Sequence, residues 1–295
     1  MRVFLTGATG FIGSAIIPEL INAGHQVLGL TRSDTGAKAI TAAGAQPHQG
    51  HLEDLESLRT GTAQSDAVIH CAFIHDFSKF EANCAIDKQA IETIGATLVG
   101  SDRPDRPFII TSATGMVHTS GRPSTEEDEP NSPFPRVASE HAATALAAQG
   151  VPISLMRLPQ VHDPVKQGLI TYLIALAREK GVSAYVGDGL NRWPAAHRLD
   201  AARLYKLALD KASPFARYNV VAEEGVPLRE IAETIGRGLK LPVVSLSPEE
   251  APAHFGWLGH FAAADIPASS ALTQQRLNWH PTGPSLISDL NQMQY

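Results

Sequence analysis

Cysteine is scarce in this chain of 295 residues, with only Cys71 and Cys84 present. Two cysteines close at most one bridge, which excludes a disulfide framework, and they do not form a Cys-x-x-Cys metal pair. The chain has twelve histidines but no His-x-His or His-Glu-x-x-His cluster, so no metal site is expected. Long apolar runs are missing as well. Val3-Phe4-Leu5, close behind Met1, is too short for the core of a signal peptide. The longest later run, around Leu169 to Ala177, falls far short of the ~20 residues that cross a bilayer. A reducing, cytoplasmic setting without membrane contact is the expectation. Basic charge is in deficit, at 24 Lys+Arg against 30 Asp+Glu. The formal −6 excludes a general nucleic-acid or anionic-membrane binder and leaves room for one local phosphate pocket. Apolar residues make up 43% of the chain and charged residues 18%, enough for a sizeable core. At roughly 100–200 residues per domain, this is one large domain or two smaller ones.

The first half alternates short apolar runs with helical patterns. Strands are predicted at Arg2–Leu5, 26–30, Asp66–Cys71, Phe108–Thr111 and Ile153–Met156. Helices are predicted from Gly10 to Ala23, with Gly24 as terminator, and over Thr35–Ala43, Phe80–Leu98 and Val137–Gln149. Such alternation means parallel strands joined by crossovers, hence an α/β fold with a doubly wound sheet covered on both faces. The second half reads as a helix at Leu169–Lys180, a strand at Ala184–Val186, the turn Gly187-Asp188-Gly189 and a helix at Leu199–Asp210. A further strand at Tyr218–Val221 and helices at Pro227–Leu239 and Leu286–Met293 complete it. The expected division is a dinucleotide-binding Rossmann domain over 1–165, to which 192–222 returns. A smaller C-terminal substrate lobe takes 166–191 and 223–295.

Thr6-Gly7-Ala8-Thr9-Gly10-Phe11-Ile12-Gly13 lies between the first strand and the first helix. Gly7 permits a tight turn, Gly10 lets backbone approach a pyrophosphate, and Gly13 allows close helix–sheet packing. The helix start then offers free N–H groups and positive dipole to the phosphates, with Thr9, Phe11 and Ile12 lining the turn. A carboxylate closing the second strand would select a free ribose and repel a 2′-phosphate. Thr31-Arg32-Ser33 stands there instead, a guanidinium between two hydroxyls that suits a 2′-phosphate. NADP(H) is favoured over NAD(H).

The glycine spacing and several later landmarks resemble the short-chain dehydrogenase/reductase superfamily in its extended form, the relatives of nucleotide-sugar epimerases, over almost the whole chain. The resemblance implies that His51 and Leu52 flank adenine, His51 standing where the family has an acid. It implies that Cys71, Ala72 and Phe73 follow the fourth strand under the cofactor, and that Pro159 and Val161 pass the nicotinamide. Ser112 takes the position of the family's catalytic serine, with Thr114 and His118 in the loop beyond it. The family's Tyr-x-x-x-Lys helix aligns with Arg136 at the tyrosine position and Glu140 at the lysine position. Arginine, with a pKa above ~12, cannot supply the tyrosine's proton. The pattern is similar to that of the superfamily's atypical members. If the two residues have no site role, they form an i,i+4 surface ion pair.

Hydride chemistry belongs to the cofactor, and the protein must orient the substrate and stabilise an oxyanion. Ser112 is the candidate hydrogen-bond donor, His162 the candidate proton donor, and Arg136 a candidate clamp or polarising group. Arg192 and Trp193 are expected at the cleft between the lobes, on the substrate, while His197 and Asp200 tie the returning helix to the sheet. His254 to Phe261 reads first as packing and second as a pocket lid. The expected function is an NADP(H)-dependent reductase or dehydrogenase of a small, partly apolar carbonyl compound. A non-catalytic NADP(H) sensor and an epimerase or dehydratase stand as alternatives. Homodimerisation through helices beside the sheet is compatible with the resemblance.

Overall fold

The computed structural model describes residues 1–295. Six strands, five of them predicted, alternate with helices: β1 (Arg2–Thr6), β2 (Gln26–Thr31), β3 (Gln46–Gln49), β4 (Ala67–His70), β5 (Phe108–Ala113) and β6 (Ile153–Leu158). The helices between them are α1 (Gly13–Asn22), α2 (Asp34–Ala42), α3 (Leu55–Ala63), α4 (Phe80–Val99) and α5 (Ala138–Ala147). Then come β7 (Gln160–His162), α6 (Ile170–Lys180), β8 (Ser183–Val186), β9 (Arg192–His197), α7 (Arg198–Lys211) and β10 (Ala216–Asn219). β11 (Glu223–Pro227), α8 (Leu228–Leu239), β12 (Val243–Leu246), α9 (Ala251–Phe255), α10 (Gly259–Ala262), α11 (Ala271–Leu277) and α12 (Leu286–Gln292) end the chain.

Seven strands form one parallel sheet in the order β10-β6-β5-β4-β1-β2-β3. Side-chain alternation along β1 sends Val3 and Leu5 into a core shared with Ile16, Ile17 and Leu20 of α1. It sends Phe4 to the opposite core, with Leu58, Ile91 and Ile94. Both faces are therefore covered, as a parallel sheet requires. The strand order reverses between β1 and β4. In such sheets the crevice at the carboxyl ends of the two reversal strands is where ligands bind.

The smaller lobe has its own core around Trp193, Ile231, Phe255 and Leu290. The sheets β11-β9-β7 and β12-β8 lie outside the seven-stranded one, and β9, in the stretch assigned to the large domain from sequence, turns Trp193 and Ala195 into this core and Ala196 into the large one. α8 turns Leu228, Ile231, Ala232 and Ile235 inward at helical spacing. Leu277 and Trp279, in the stretch assigned to this lobe from sequence, pack instead in the large core with Tyr205 and Leu209. β3 reads Gln-Pro-His-Gln and gave no strand pattern; it lies at the sheet edge, where Pro47 is tolerated. No helix is long and apolar enough to cross a membrane.

Candidate active site

The helix predicted from Gly10 begins three residues later, at Gly13. Residues 10 to 12 stay in the turn, and the N–H groups of Phe11 and Ile12 find no backbone acceptor. Gly7 sits at φ +71°, and its carbonyl accepts from Gly10 N–H at 2.8 Å. A Cβ on Gly7 would stand 2.8 Å from Ala72 N and 2.9 Å from the Cys71 carbonyl, so the turns after β1 and β4 touch. A Cβ on Gly13 would stand 2.0 Å from Gly7 O. Ser33 caps α2 by accepting from Gly36 N–H at 3.1 Å. A Cβ on Gly36 would meet Thr31 Oγ1 at 2.1 Å and Thr9 Cγ2 at 3.2 Å. Gly50 N–H donates to Thr31 O at 2.9 Å, which brings exposed His51 and buried Leu52 to the same end of β2. The turns after β1 and β4 thus touch, the start of α2 meets Thr9, and the glycine backbone after β1 forms a cradle that a phosphate would fit.

Two buried ion pairs occupy the positions aligned with the tyrosine and lysine. Glu140 and Arg136 do not pair with each other at the surface, which corrects the i,i+4 reading. Glu140, 1% exposed, accepts from Arg157 Nε at 3.0 Å and Nη2 at 2.7 Å, and from Ser112 Oγ at 2.8 Å. The Ser112 hydrogen is therefore committed to a carboxylate. Arg136 is drawn inward to Asp87 Oδ2, donates to Ser139 Oγ at 2.7 Å and to Thr111 O at 2.8 Å, and lies under the Phe73 ring at 4.2 Å. Asp87 also accepts from Ser139 Oγ at 2.6 Å and is 3.1 Å from His70 Nε2. His70 Nδ1 lies 2.8 Å from Thr6 Oγ1. A lone pair on Nε2 would face the carboxylate, so Nε2 carries the proton and donates to Asp87. Burial raises the Asp87 pKa, but the Arg136 charge and the His70 bond outweigh it and hold the carboxyl at about 2.

His162 is corrected as a proton donor at the cleft. It is fully buried and bonds Asp289 of α12 through Nδ1 at 2.7 Å, and burial lowers its pKa. Trp193 is also fully buried and donates Nε1–H to Phe261 O at 3.0 Å, so it belongs to the lobe's core and not to a substrate surface. Arg192 is paired with Asp265 through Nε at 3.0 Å and Nη2 at 2.8 Å. The pair is exposed, and exposed pairs are worth ~0–1 kcal/mol. Arg192→Ala is accordingly expected to lower the melting temperature by no more than a few degrees, checked by thermal denaturation. Thr114 is buried, with Oγ1 3.4 Å from Leu158 O beside Pro159. Val161 is buried in the large core. His118 lies in the loop beyond, its backbone clipped to the Asn131 amide at 2.7 and 2.8 Å. His197 caps α7 by accepting from Leu199 N–H at 3.3 Å, and Asp200 accepts from Thr282 and Gly283 N–H at 3.0 and 2.8 Å.

Sequence reasoning missed the groups that surround this centre. Asp87 had a legible signal, an acid on the stripe Cys84, Asp87, Ala90, Ile91, Ile94 that α4 buries. Arg198, at the start of α7, bonds the Phe11 carbonyl, Ser14 Oγ at 2.8 Å and Asp163 at 3.2 Å, locking the returning segment to the phosphate turn. An aromatic group bridges the lobes: Phe77 stacks on Trp257 at 4.3 Å, Tyr172 stands edge-on to both, and Phe134 stacks on Phe261 at 5.3 Å.

Comparison with known proteins gives the family and the fold. An uncharacterized protein of Schizosaccharomyces pombe is 49% identical over 98% of both chains. The sterol-4-alpha-carboxylate 3-dehydrogenase (decarboxylating) of Dictyostelium discoideum is 27% identical over 78% of this chain and 74% of its own. The UDP-glucuronic acid 4-epimerase of Bacillus cereus, solved with UDP-glucuronic acid and NAD, superposes with a TM-score of 0.76. It is 18% identical, over 100% of this chain and 98% of that one, and shares the fold. The model of the NAD dependent epimerase/dehydratase family matches residues 3–221, from β1 to just beyond β10, and the chain belongs to that family.

Proposed function

We propose that this chain is an NADP(H)-dependent reductase or dehydrogenase of a small, partly apolar carbonyl or hydroxy compound. The observation that carries the cofactor choice is Arg32. It is exposed at the end of β2, engaged in no ion pair, and flanked by Thr31 and Ser33 where α2 begins against Thr9. An unpartnered guanidinium at that corner suits a 2′-phosphate and gains nothing from a bare ribose. When bound, the dihydronicotinamide supplies the hydride to a carbonyl carbon. The chain's own residues hold and orient: the turn amides take the pyrophosphate, Glu140 fixes the Ser112 hydroxyl, and the Asp87 network fixes Arg136 beneath Phe73.

The substrate class is supported by the rings of Phe77, Phe134, Tyr172, Trp257 and Phe261 at the lobe junction. They offer apolar surface, while Arg192 is paired with Asp265. Calorimetry tests the cofactor. NADPH is expected to bind more tightly than NADH, and Arg32→Ala to weaken NADPH by roughly 10- to 100-fold while leaving NADH nearly unchanged. Equal affinities in the unaltered protein would remove the NADP(H) preference. A panel of ketones and aldehydes tests the reaction through NADPH oxidation. The saturation of Ser112 and Arg136 favours a second reading, an NADP(H)-responsive binding protein. Tight NADPH binding without oxidation across the panel would support that reading.

A further inference from the structure

Reducing a carbonyl leaves an oxyanion that must be protonated, and the expected donors are engaged elsewhere. Ser112 gives its hydrogen to Glu140, and Arg136 is bound to Asp87 and holds its protons near neutrality. His162 is sealed beneath α12. Burial pushes the Cys71 thiol up to about 11, and it pushes Tyr205, fully buried against Thr111, well above the ordinary tyrosine range. His118 has its loop clipped to Asn131 on the far side of β5.

Among the titratable rings outside these, His75 stands beside the Phe73 ring that covers Arg136, whereas Tyr172 meets Phe77 and Trp257 in the lobe junction. His75 lies in the connection between β4 and α4 and is exposed. Its ring stands edge-on to Phe73 at 5.4 Å and to Phe77 at 6.2 Å. Phe73 is the ring that covers Arg136, so only one aromatic ring separates His75 from the position where the family carries its acid. On the other flank Lys166 places Nζ 5.7 Å from the Phe11 ring of the phosphate turn, and it is near enough for its charge to act on His75. The imidazole thus stands one ring away from Arg136, in the connection that leaves the carboxyl end of β4.

We propose that His75 is the proton donor of the carbonyl reduction. The proposal rests on the NADP(H) reductase reading and names the acid of that site. As the carbon–hydride bond forms, the carbonyl π pair moves to oxygen. The O–H bond then forms as the imidazolium N–H bond breaks. His75 ends neutral and recovers a proton from solvent, to which it is exposed. The sum is carbonyl, NADPH and one proton giving alcohol and NADP⁺. Loss of water on the ring's inner side, then the charges of Arg136 and Lys166, lower its pKa below the ordinary histidine range, and the Phe73 carbonyl opposes them. The adjacent Asp76 carboxylate is spent on Ser78. The reduction rate therefore falls by about tenfold per pH unit as pH rises through that lowered value.

The test uses the full chain with NADPH and the carbonyl compound it reduces fastest. His75→Asn is expected to keep the NADPH affinity within twofold, lose roughly 100-fold in kcat and lose that pH limb. His75→Ala is expected to regain part of its rate with added imidazole. Independently of turnover, the His75 ring resonances are expected to titrate below the ordinary range and to shift when NADPH binds. A kcat within threefold, an unchanged pH limb, or a ring that does not respond to bound NADPH overturns the proposal while the cofactor reading stands. Absence of any NADPH binding overturns both.

Discussion

Gly13→Ala is expected to raise the NADPH dissociation constant at least 100-fold and to destabilise the fold by several kcal/mol. The methyl group would stand 2.0 Å from Gly7 O and 2.8 Å from Gly7 C, and backbone atoms cannot swing aside as a flexible side chain can. Either α1 moves off the sheet or the turn opens. Overpacking a tight contact costs ~1–3 kcal/mol where neighbours can shift, and here the neighbour is a carbonyl that also holds Gly10 N–H at 2.8 Å. Moving α1 displaces the amides of Phe11 and Ile12, whose value to a pyrophosphate depends on their aim. It also strains Arg198, which grips the Phe11 carbonyl and Ser14. Calorimetry with NADPH and thermal denaturation read the two losses separately. An affinity within threefold of the parent would mean that the phosphates do not sit on this turn.

That turn was legible in sequence because its chemistry is local. The glycines lie within seven residues, and each answers to a contact of its own backbone. Arg32 was legible for the same reason, as one position at the end of one strand. The reaction centre was not, because its pairs join distant segments. Ser112 meets Glu140 across 28 residues and Arg136 meets Asp87 across 49. Arg136 and Glu140, read alone, fit a surface helix with an i,i+4 pair. What that view lacked was the packing of α4 against α5, half of whose ten residues are alanine, and against the turn Pro135–Val137 that carries Arg136, so that both charges sink. Trp193 and His162 were misplaced for a related reason. β7 has only three residues, β9 carries Pro194, and the two pair with each other in a sheet that no local periodicity announces.

The buried centre also carries the second large effect. Asp87→Asn is expected to destabilise the protein by ~3–5 kcal/mol at neutral pH, the usual loss when one partner of a buried pair is removed. The guanidinium of Arg136 would keep its place beneath Phe73 without a counter-charge, and His70 and Ser139 would lose a charged acceptor. Removing the pair as a unit should cost less than this single change, so Asp87→Asn combined with Arg136→Met is expected to recover part of the loss. The effect carries a pH signature. The Asp87 carboxyl is held at about 2 in the folded chain and titrates near ~3.9 when unfolded. Its contribution is complete above the unfolded value and drains away as pH falls toward the folded one. Urea unfolding at a series of pH values should therefore show the gap between parent and Asp87→Asn at full width from pH 7 down to about 4, then narrowing toward about 2. A gap independent of pH over that range would mean that Asp87 holds Arg136 by shape and hydrogen bonding alone.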